Sequence, residues 1–476
     1  MRRRLLRHEW RLLSGDGSLW LVVGIVAAAI AYGAFNGVRW VRFQEAAIAE
    51  AAREERDRFV VQQATIARLT AGELTLPAFA DPRDPQTAGS RLGARYAVMP
   101  PAPLAALSIG QSDLLPYYVK VTTDAKENVT AGAELENPHR LLTGRFDLAF
   151  VLIYLYPLLV LAFSYNLLSA EKEQGTLALA VSQPVSIGTL AVGKVAIRFA
   201  VFVVTLATLA GVAVAVAGVD LAGDDVPVRL ALWLGAVATY GLVWFALALL
   251  VASFGRPSST NAMALAALWL TFVILVPSIL NMGATTLYPV PSRVEMIQAV
   301  REASDEANER GATLLARYYE DHPELAVGGA DQAMTDFNII RVAVTSDVEA
   351  RVRPVLDRYE RQIAAQRRVV SRLRLLSPAI LMQDALNDIS GTGTARHQHF
   401  FQQVAVFHEQ WRNHFVPLIF RKATVDRYAA LPAFVFADEP VRTVAARVAA
   451  GIGLMLAPAL VLGAIGLRRL RRFPVV

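Results

Sequence analysis

The 476-residue sequence contains no cysteine. It can therefore form no disulfide, and it offers neither a thiol nucleophile nor a cysteine-type zinc site. Charged residues are also few, at 18% of the chain against 54% hydrophobic residues, and the mean hydropathy is +0.38. This composition is too apolar for an ordinary soluble protein and too charged for one that lies wholly in a membrane. We therefore expect a membrane region joined to a sizeable water-exposed region.

Motifs of common catalytic sites are absent or incomplete. The sequence has no G-x-S-x-G and no H-E-x-x-H, and the residue four places after His408 is Arg412 instead of a second histidine. Residues 188–195, GTLAVGKV, nearly match a phosphate-binding loop, but Val195 lacks the hydroxyl that binds Mg²⁺ and no strand precedes the motif. We expect no enzyme activity, although a carboxylate pair formed only in the fold is left open. We expect Lys194 and Arg198 to meet phospholipid headgroups.

Four of the seven histidines crowd one short region, at His397, His399, His408 and His414. A metal site is conceivable there. On a straight helix, however, His397 and His408 would lie about 16 Å apart along the axis, which is too far for shared ligation. We therefore favour structural or solvent-facing histidines, and whether the cluster binds a metal stays open at this stage.

Six apolar runs are long enough to cross a bilayer, which takes about 20 residues. They lie near residues 18–38, 148–169, 195–219, 230–254, 261–280 and 448–467. None carries an ionisable residue near its middle. Proton-coupled carriers usually need such a residue, so we expect an external energy source, although sodium sites built from carbonyls and hydroxyls would escape this argument.

The distribution of basic residues orients the predicted spans. An even number of spans places both ends of the chain on one side, and that side carries 13 lysines and arginines against four acidic residues. The positive-inside rule makes it the cytoplasmic side. Residues 1–17 are expected to form an interfacial helix against inner-leaflet lipid, with Leu6, Trp10 and Leu13 on one face. We expect the first run to be a retained span and not a signal peptide, and the basic charge requires no nucleic-acid partner.

The spans divide the chain into a membrane part and two outer segments. The predicted division is 1–17 cytoplasmic helix, 18–38 first span, 39–147 first outer segment, 148–280 spans two to five, 281–447 second outer segment, 448–467 sixth span and 468–476 cytoplasmic tail. Residues 40–69 are expected to continue the first span as a helix, and residues 117–122 to form a strand. Residues 292–321, 331–376, 377–390 and 396–415 are predicted helices. We expect Pro354 to kink or break the second of these, and Pro277 to kink or shorten the fifth span. The predicted fold class is an all-α polytopic membrane protein with six transmembrane helices. Its two outer segments would pack into one mainly helical extracytoplasmic domain with minor β structure.

Residues 166–186, NLLSAEKEQGTLALAVSQPVS, form a charged interruption between two apolar runs, and we call them the coupling segment. A short amphipathic helix fits this segment: Ser169 can cap it, and Leu177 and Val181 stack at i, i+4. Pro184 would stop it. Such a helix between two spans is either a docking element for a soluble partner or an ordinary interfacial loop helix.

The coupling segment resembles the intracellular coupling helix of type 2 ABC-transporter permeases. In that family an E-x-E-x-G-T-L stretch is followed by Pro-Ser, and this chain has Glu171, Glu173, Gly175, Thr176, Leu177, Pro184 and Ser186 in that pattern. Two further stretches, PPAPLAALSIGQSDLLPYYVKVTT and SPAILMQDALNDISGTGTARHQHFFQQVAVFHEQWRNHF, resemble the outer segments of one subfamily that has a large periplasmic domain.

The resemblance implies a permease subunit of an ABC exporter in the bacterial inner membrane, with both termini cytoplasmic. Its partners would be cytoplasmic ATPase subunits, which carry the ATP and Mg, and a second permease copy, identical or related. The coupling helix, residues 170–186, would contact the ATPase through Glu171, Glu173, Gly175, Thr176, Leu177 and Val181. The alternative is an envelope assembly or signalling protein whose periplasmic domain binds a partner. The transported substrate stays open, as does the choice between identical and mixed permeases.

Overall fold

The computed structural model describes residues 17–124, 146–182, 186–321 and 337–473, together with Arg11 and Gly15. The chain is mostly helical, at 77%, with little strand. Within these ranges, five helices are long and apolar enough to cross a membrane, which is compatible with a multi-pass membrane protein. The predicted interfacial helix at residues 1–17 lies almost wholly outside the described residues.

The first helix, α1, runs without interruption over Gly17–Thr70. Its 54 residues extend for about 80 Å, at about 1.5 Å per residue. The first apolar run therefore continues directly into the charged sequence after it, and the predicted helical continuation is confirmed. Beyond α1, the first outer segment is irregular, with short helical turns at Ala78–Ala80, residues 85–92 and Ala105–Leu107.

A two-stranded antiparallel ribbon lies in the first outer segment. Strand β1 is Arg95–Val98 and β2 is Tyr118–Val121, and Arg95 pairs with Val121. The sequence predicted β2 but not β1. One end of the register is the pair Val98–Tyr118.

The next helix, α2 (Leu148–Ala162), is apolar but shorter than the five long helices. It contains a π-helical turn, Val151–Leu155, directly before Tyr156 and Pro157. Proline has no backbone N–H to donate to the preceding turn, and a π turn is one way in which a helix accommodates that loss. The predicted run 148–169 is therefore helical only to Ala162, and two short helices follow it: α3 (Ser169–Glu173) and α4 (Leu177–Ser182).

Three long apolar helices follow: α5 (Ile187–Val216), α6 (Val226–Ala252) and α7 (Ser258–Leu287). Helix α7 contains a second π turn, Leu270–Leu275, and Pro277 comes two residues after it. We expected Pro277 either to kink or to shorten this span. The helix continues to Leu287, so Pro277 does not shorten it.

The second outer segment is mainly helical in its described residues, and residues 431–440 form an irregular stretch before the last helix. Its helices are α8 (Arg293–Glu309), α9 (Gly311–Asp321), α10 (Phe337–Leu373), α11 (Pro378–Ser390) and α12 (Thr394–Phe420). The turns Arg374–Leu376 and Tyr428–Ala430 lie between and after them, and α13 (Val441–Leu470) follows. The predicted helix 292–321 divides at Arg310, whereas α10 passes through Pro354 without a break.

Two large hydrophobic cores organise the chain. One core joins the two outer segments, with Ala97 and Val121 from the ribbon packed with Phe400 and Trp411 of α12. This confirms the prediction that the two outer segments pack together. The other core contains the apolar helices and, in addition, Met382 and Leu386 of α11. Helix α11 therefore packs with the apolar helices, although its sequence lies in the second outer segment.

Helices α6 and α13 run parallel and pack closely. A methyl group at Gly463 would lie 3.9 Å from Cβ of Ala246, and one at Gly466 would lie 3.2 Å from Cα of Leu250. Glycines at these positions let the two backbones approach, as small residues do between membrane helices.

Candidate functional site

The coupling segment is a helix–turn–helix that Gly175 makes possible. Helix α3 ends at Glu173, and Gly175 has a positive φ of 72°. The N–H of Thr176 donates to the carbonyl of Glu171 at 2.9 Å, and the N–H of Gly175 donates to the carbonyl of Lys172 at 3.1 Å. This pair of bonds is a Schellman cap, in which glycine occupies the left-handed position at low cost. The Gly-Thr of the motif therefore sets the turn between α3 and α4.

Glu171 connects α3 to the first turns of α5. Its Oε1 lies 2.6 Å from Nζ of Lys194, which also donates to the carbonyl of Leu167 at 3.1 Å. Lys194 is only 5% exposed. In the same region the guanidinium of Arg198 donates to the carbonyl of Phe163. Our expectation that Lys194 meets lipid headgroups is therefore wrong, because its side chain is buried against the turn that follows α2. Arg198 binds the same turn but is half-buried, and its contact with headgroups stays a prediction.

Glu173 connects α3 to the start of α7. Its carboxylate accepts from the backbone N–H of Ser258 at 2.6 Å and from the hydroxyl of Ser258 at 3.0 Å. The same hydroxyl lies 2.8 Å from Oγ of Ser169. Ser169 was predicted to cap α3, but it is instead the first residue of that helix and pairs with Ser258. A negative charge at the first turn of α7 also interacts favourably with the positive end of the helix dipole.

Leu177 anchors α4 in a small apolar core. It is 1% exposed. The core joins the ends of several helices with the turn before α3, and its buried members are Leu167, Leu168, Leu177, Leu190, Ala191, Leu249, Ala252, Leu470 and Phe473. This core therefore joins Leu177 to residues of α5, α6 and α13 at one end of the helix bundle.

The opposite face of the coupling segment is exposed. Thr176 and Gly175 are exposed, and Leu179 is 72% exposed although it is a large apolar side chain. Ser186 caps α5 by accepting from the N–H of Thr189 at 3.2 Å. The side chain of Val181 and all of Pro184 lie outside the described residues, so the predicted stacking of Leu177 with Val181 stays a prediction.

The predicted coupling residues therefore divide into two groups. Glu171, Glu173 and Leu177 bind α5, α7 and the small core within the same chain, whereas Thr176 and Gly175 lie on the exposed face beside Leu179. Sequence reasoning missed Lys194 and Ser258 as their partners. A lysine seven residues inside a predominantly apolar helix was a usable signal, because such a charge needs a partner.

The two sequence motifs that resembled other sites have local structural roles. Residues 188–195 belong to α5, a helix and not a phosphate-binding loop. Three of the four clustered histidines contact separate backbone carbonyls: His397 that of Pro116, His399 that of Ala437 and His408 that of Asp124. No group of three metal-ligating side chains forms anywhere in the described residues.

At the far end of the bundle, partly buried ion pairs join the second outer segment to the apolar helices. Arg396 of α12 makes a two-pronged contact with Asp438, at 2.7 and 2.9 Å. Arg447 of α13 binds Asp388 of α11 at 3.2 Å and Glu439 at 2.8 Å. Arg229 of α6 is 2% exposed and donates to the carbonyl of Ile389 at 2.8 Å. These contacts hold the junction between α11 and α12 against the outer ends of α6 and α13.

Comparison with known proteins finds a match for one region of the chain. A family model described as "Domain of unknown function (DUF3526)" matches residues 293–437, which include α8 to α12. A search of curated proteins finds no match to the chain. The second outer segment is therefore similar to the domain that this family model describes.

Proposed function

We propose that this chain is the membrane-spanning permease subunit of an ATP-driven ABC exporter in the bacterial inner membrane. Hydrolysis by a separate cytoplasmic ATPase would be coupled to substrate movement across the bilayer. The observation that carries the proposal is the two-sided coupling segment. One side is tied to four helices of the bundle, and the other presents an exposed leucine at the same end of the bundle.

The proposed permease requires six helices that cross the membrane. Five long helices supply five of them, and α2 with the turn after it supplies the sixth. In this arrangement α1, α5 and α7 lead outward and α2, α6 and α13 lead inward. Both termini and the coupling segment then lie in the cytoplasm, and the core that joins the two outer segments lies in the periplasm.

The contacts of the coupling segment give a route for movement. An ATPase that displaced α4 would move α5 through the Glu171–Lys194 pair and α7 through the Glu173–Ser258 contact. It would move α6 and α13 through Leu177. The Glu171–Lys194 pair would transmit displacement because separating an ion pair with a buried lysine is costly. A second permease copy would supply the other wall of the substrate path.

A pull-down from mild detergent, with mass spectrometry, tests the proposal. We expect a P-loop ATPase to co-purify with the native chain and to be lost from Leu179→Asp, which changes only the exposed face. Leu221→Asp is the matched control, since Leu221 is an exposed leucine on the turn at the other end of the bundle. Recovery of no ATPase, also after crosslinking, would contradict the proposal. A second permease in the same preparation would show whether the pair is identical or mixed.

The alternative function is an envelope assembly or signalling protein. The extent of the second outer segment, whose helices reach from Arg293 to Phe420, favours this reading. Its periplasmic core would then bind an envelope partner while the apolar helices anchor it or relay force. A purified complex that hydrolyses ATP in proteoliposomes yet moves no molecule across the bilayer would favour this function over transport.

A further inference from the structure

A cavity of about 410 Å³ lies between α11 and α13. This volume is within the range of small-molecule sites. Its wall is largely apolar and includes Leu381, Ala385, Ala446, Val448, Ala450 and Gly451. Its polar part consists of Arg374, Asp384, Asp388 and Arg447.

Small residues on α13 create the cavity. Gly451 is buried, yet a Cβ atom at this position would meet no heavy atom within 4 Å. Buried glycines that pack closely behave differently: a methyl group at Gly466 would lie 3.2 Å from the backbone of α6. Gly451 therefore faces unfilled space inside the fold, and a larger side chain there would occupy the cavity.

The cavity lies beside the outer part of the proposed membrane helices. The hydroxyl of Ser377, at the start of α11, donates to the carbonyl of Phe272 in α7 at 2.6 Å. In the proposed arrangement α7 begins at the cytoplasmic side with Ser258, and Phe272 lies about 21 Å further along it, at about 1.5 Å per residue. The hydrocarbon core of a bilayer is about 30 Å thick, so Phe272 lies past its middle. The start of α11 thus reaches the level of the outer leaflet.

The charged residues that line the cavity differ in how firmly they are paired within the chain. Arg447 already binds Asp388 and Glu439. Arg374 and Asp384 are 3.7 Å apart, and their side chains remain 31% and 51% exposed. This loosely held pair offers one cation and one anion side by side at the edge of an apolar wall.

We propose that this cavity binds a zwitterionic phospholipid of the outer leaflet. Arg374 would bind the phosphate and Asp384 the ammonium group, while the first part of an acyl chain lies against Leu381 and Val448. A phosphate pairs well with a guanidinium, and an ammonium with a carboxylate. A singly charged anionic lipid would satisfy Arg374 but leave Asp384 beside a negative headgroup. The inference depends on the membrane placement of the proposed function but not on its ATPase.

Native mass spectrometry of the purified chain tests this site. The probes are phosphatidylethanolamine, phosphatidylglycerol and soluble phosphoethanolamine, each titrated separately. We expect phosphatidylethanolamine to bind about tenfold more tightly than phosphatidylglycerol, and about tenfold more weakly to Gly451→Leu. The control is Gly453→Leu, at an exposed glycine of the same helix where a Cβ also meets nothing within 4 Å. If the bound lipid merely surrounds the helices, Gly451→Leu and Gly453→Leu should weaken its binding equally. That result would contradict the proposed site.

A charge variant keeps the test decisive if Gly451→Leu fails to fold. Asp384→Asn is expected to lose the preference for phosphatidylethanolamine while its binding of phosphatidylglycerol is unchanged or stronger. Arg372→Gln, at an exposed neighbouring arginine, is expected to keep the preference. Equal binding of phosphatidylethanolamine by the native chain and Asp384→Asn would overturn the proposal. So would tight binding of soluble phosphoethanolamine alone, or conversion of a dimer to a monomer by Gly451→Leu, which would make the cavity a contact between copies.

Discussion

The carboxylate of Glu171 lies 2.6 Å from the ammonium of Lys194, and Lys194 is buried. The pair joins the short helix α3 to the long helix α5. Both residues come from the stretch in which the sequence suggested a surface docking motif and lipid-facing bases. The structure instead brings the two charges together within the chain.

Replacement of either partner of this pair should destabilise the protein. Glu171→Gln or Lys194→Met leaves one charge poorly compensated, and we expect each to cost about 1–3 kcal/mol, which is less than a fully buried pair because Glu171 is partly exposed. The double variant should be closer to the native protein than the sum of the single effects. Thermal unfolding in detergent measures this. Glu306→Gln, which breaks the more exposed Arg351–Glu306 pair, is the control and should change little. Strictly additive single effects would contradict the contact.

Glu173 should protect the first turn of α7. Removal of its carboxylate in Glu173→Ala takes away the acceptor for the N–H and hydroxyl of Ser258. The loss of a helix-capping acceptor costs about 1 kcal/mol, so amide hydrogen exchange at the start of α7 should become about fivefold faster. Exchange in α6 should not change. Gln174→Ala, at an exposed neighbour, serves as the control, and equal acceleration in both variants would mean that Glu173 has no capping role.

The absence of cysteine makes the orientation of the chain directly measurable. Single cysteines at Leu221 and Leu179, both exposed leucines, should react with a membrane-impermeant maleimide from opposite sides. In intact spheroplasts we expect Leu221→Cys to be labelled and Leu179→Cys to be labelled only after lysis. Val435→Cys, in the second outer segment, should behave like Leu221→Cys. Labelling of position 179 from outside would reverse the proposed orientation.

Acid should destabilise the core that joins the outer segments, in part through His397. Burial, with Arg367 nearby, lowers the pKa of His397 to about 4 from its ordinary 6.5. Between these values the unfolded chain takes up a proton that the folded chain does not, so stability is present above pH 6.5 and falls as the pH drops toward 4. The unfolding temperature should therefore decrease from pH 7 to pH 5, and less so in His397→Gln. His399→Gln, at a half-buried histidine that also contacts a carbonyl, should retain the native decrease. An identical decrease in His397→Gln would contradict this assignment.

The long elements were predictable from sequence because their signals are local. Apolar runs of sufficient length gave α1, α5, α6, α7 and α13, and the β propensity of residues 117–122 gave β2. The partners of Glu171 and Glu173 were not predictable, because Lys194 and Ser258 lie 23 and 85 positions away and only the packing of the bundle brings them near. The placement of α11 among the apolar helices was missed for the same reason, since its length suits a soluble helix equally well.

Gly175 shows that a residue of the motif has a structural role within this chain, apart from any contact with a partner. Its left-handed backbone ends α3 and allows α4 to place Leu177 inward and Leu179 outward. The E-x-E-x-G-T-L pattern is therefore explained in part by the fold of this chain alone. The exposed residues beside the motif are the ones that remain for a partner.

The most direct test of the account is crosslinking from the exposed face of the coupling segment. Leu179→Cys, in a chain that otherwise has no cysteine, is carried through a thiol-directed photocrosslinker in native membranes, and the product is identified by mass spectrometry. We expect a crosslink to a P-loop ATPase from position 179 and none from Leu221→Cys at the other end of the bundle. Absence of an ATPase product at position 179, or an equal product from position 221, would contradict the proposal that this segment couples an ATPase to the membrane helices.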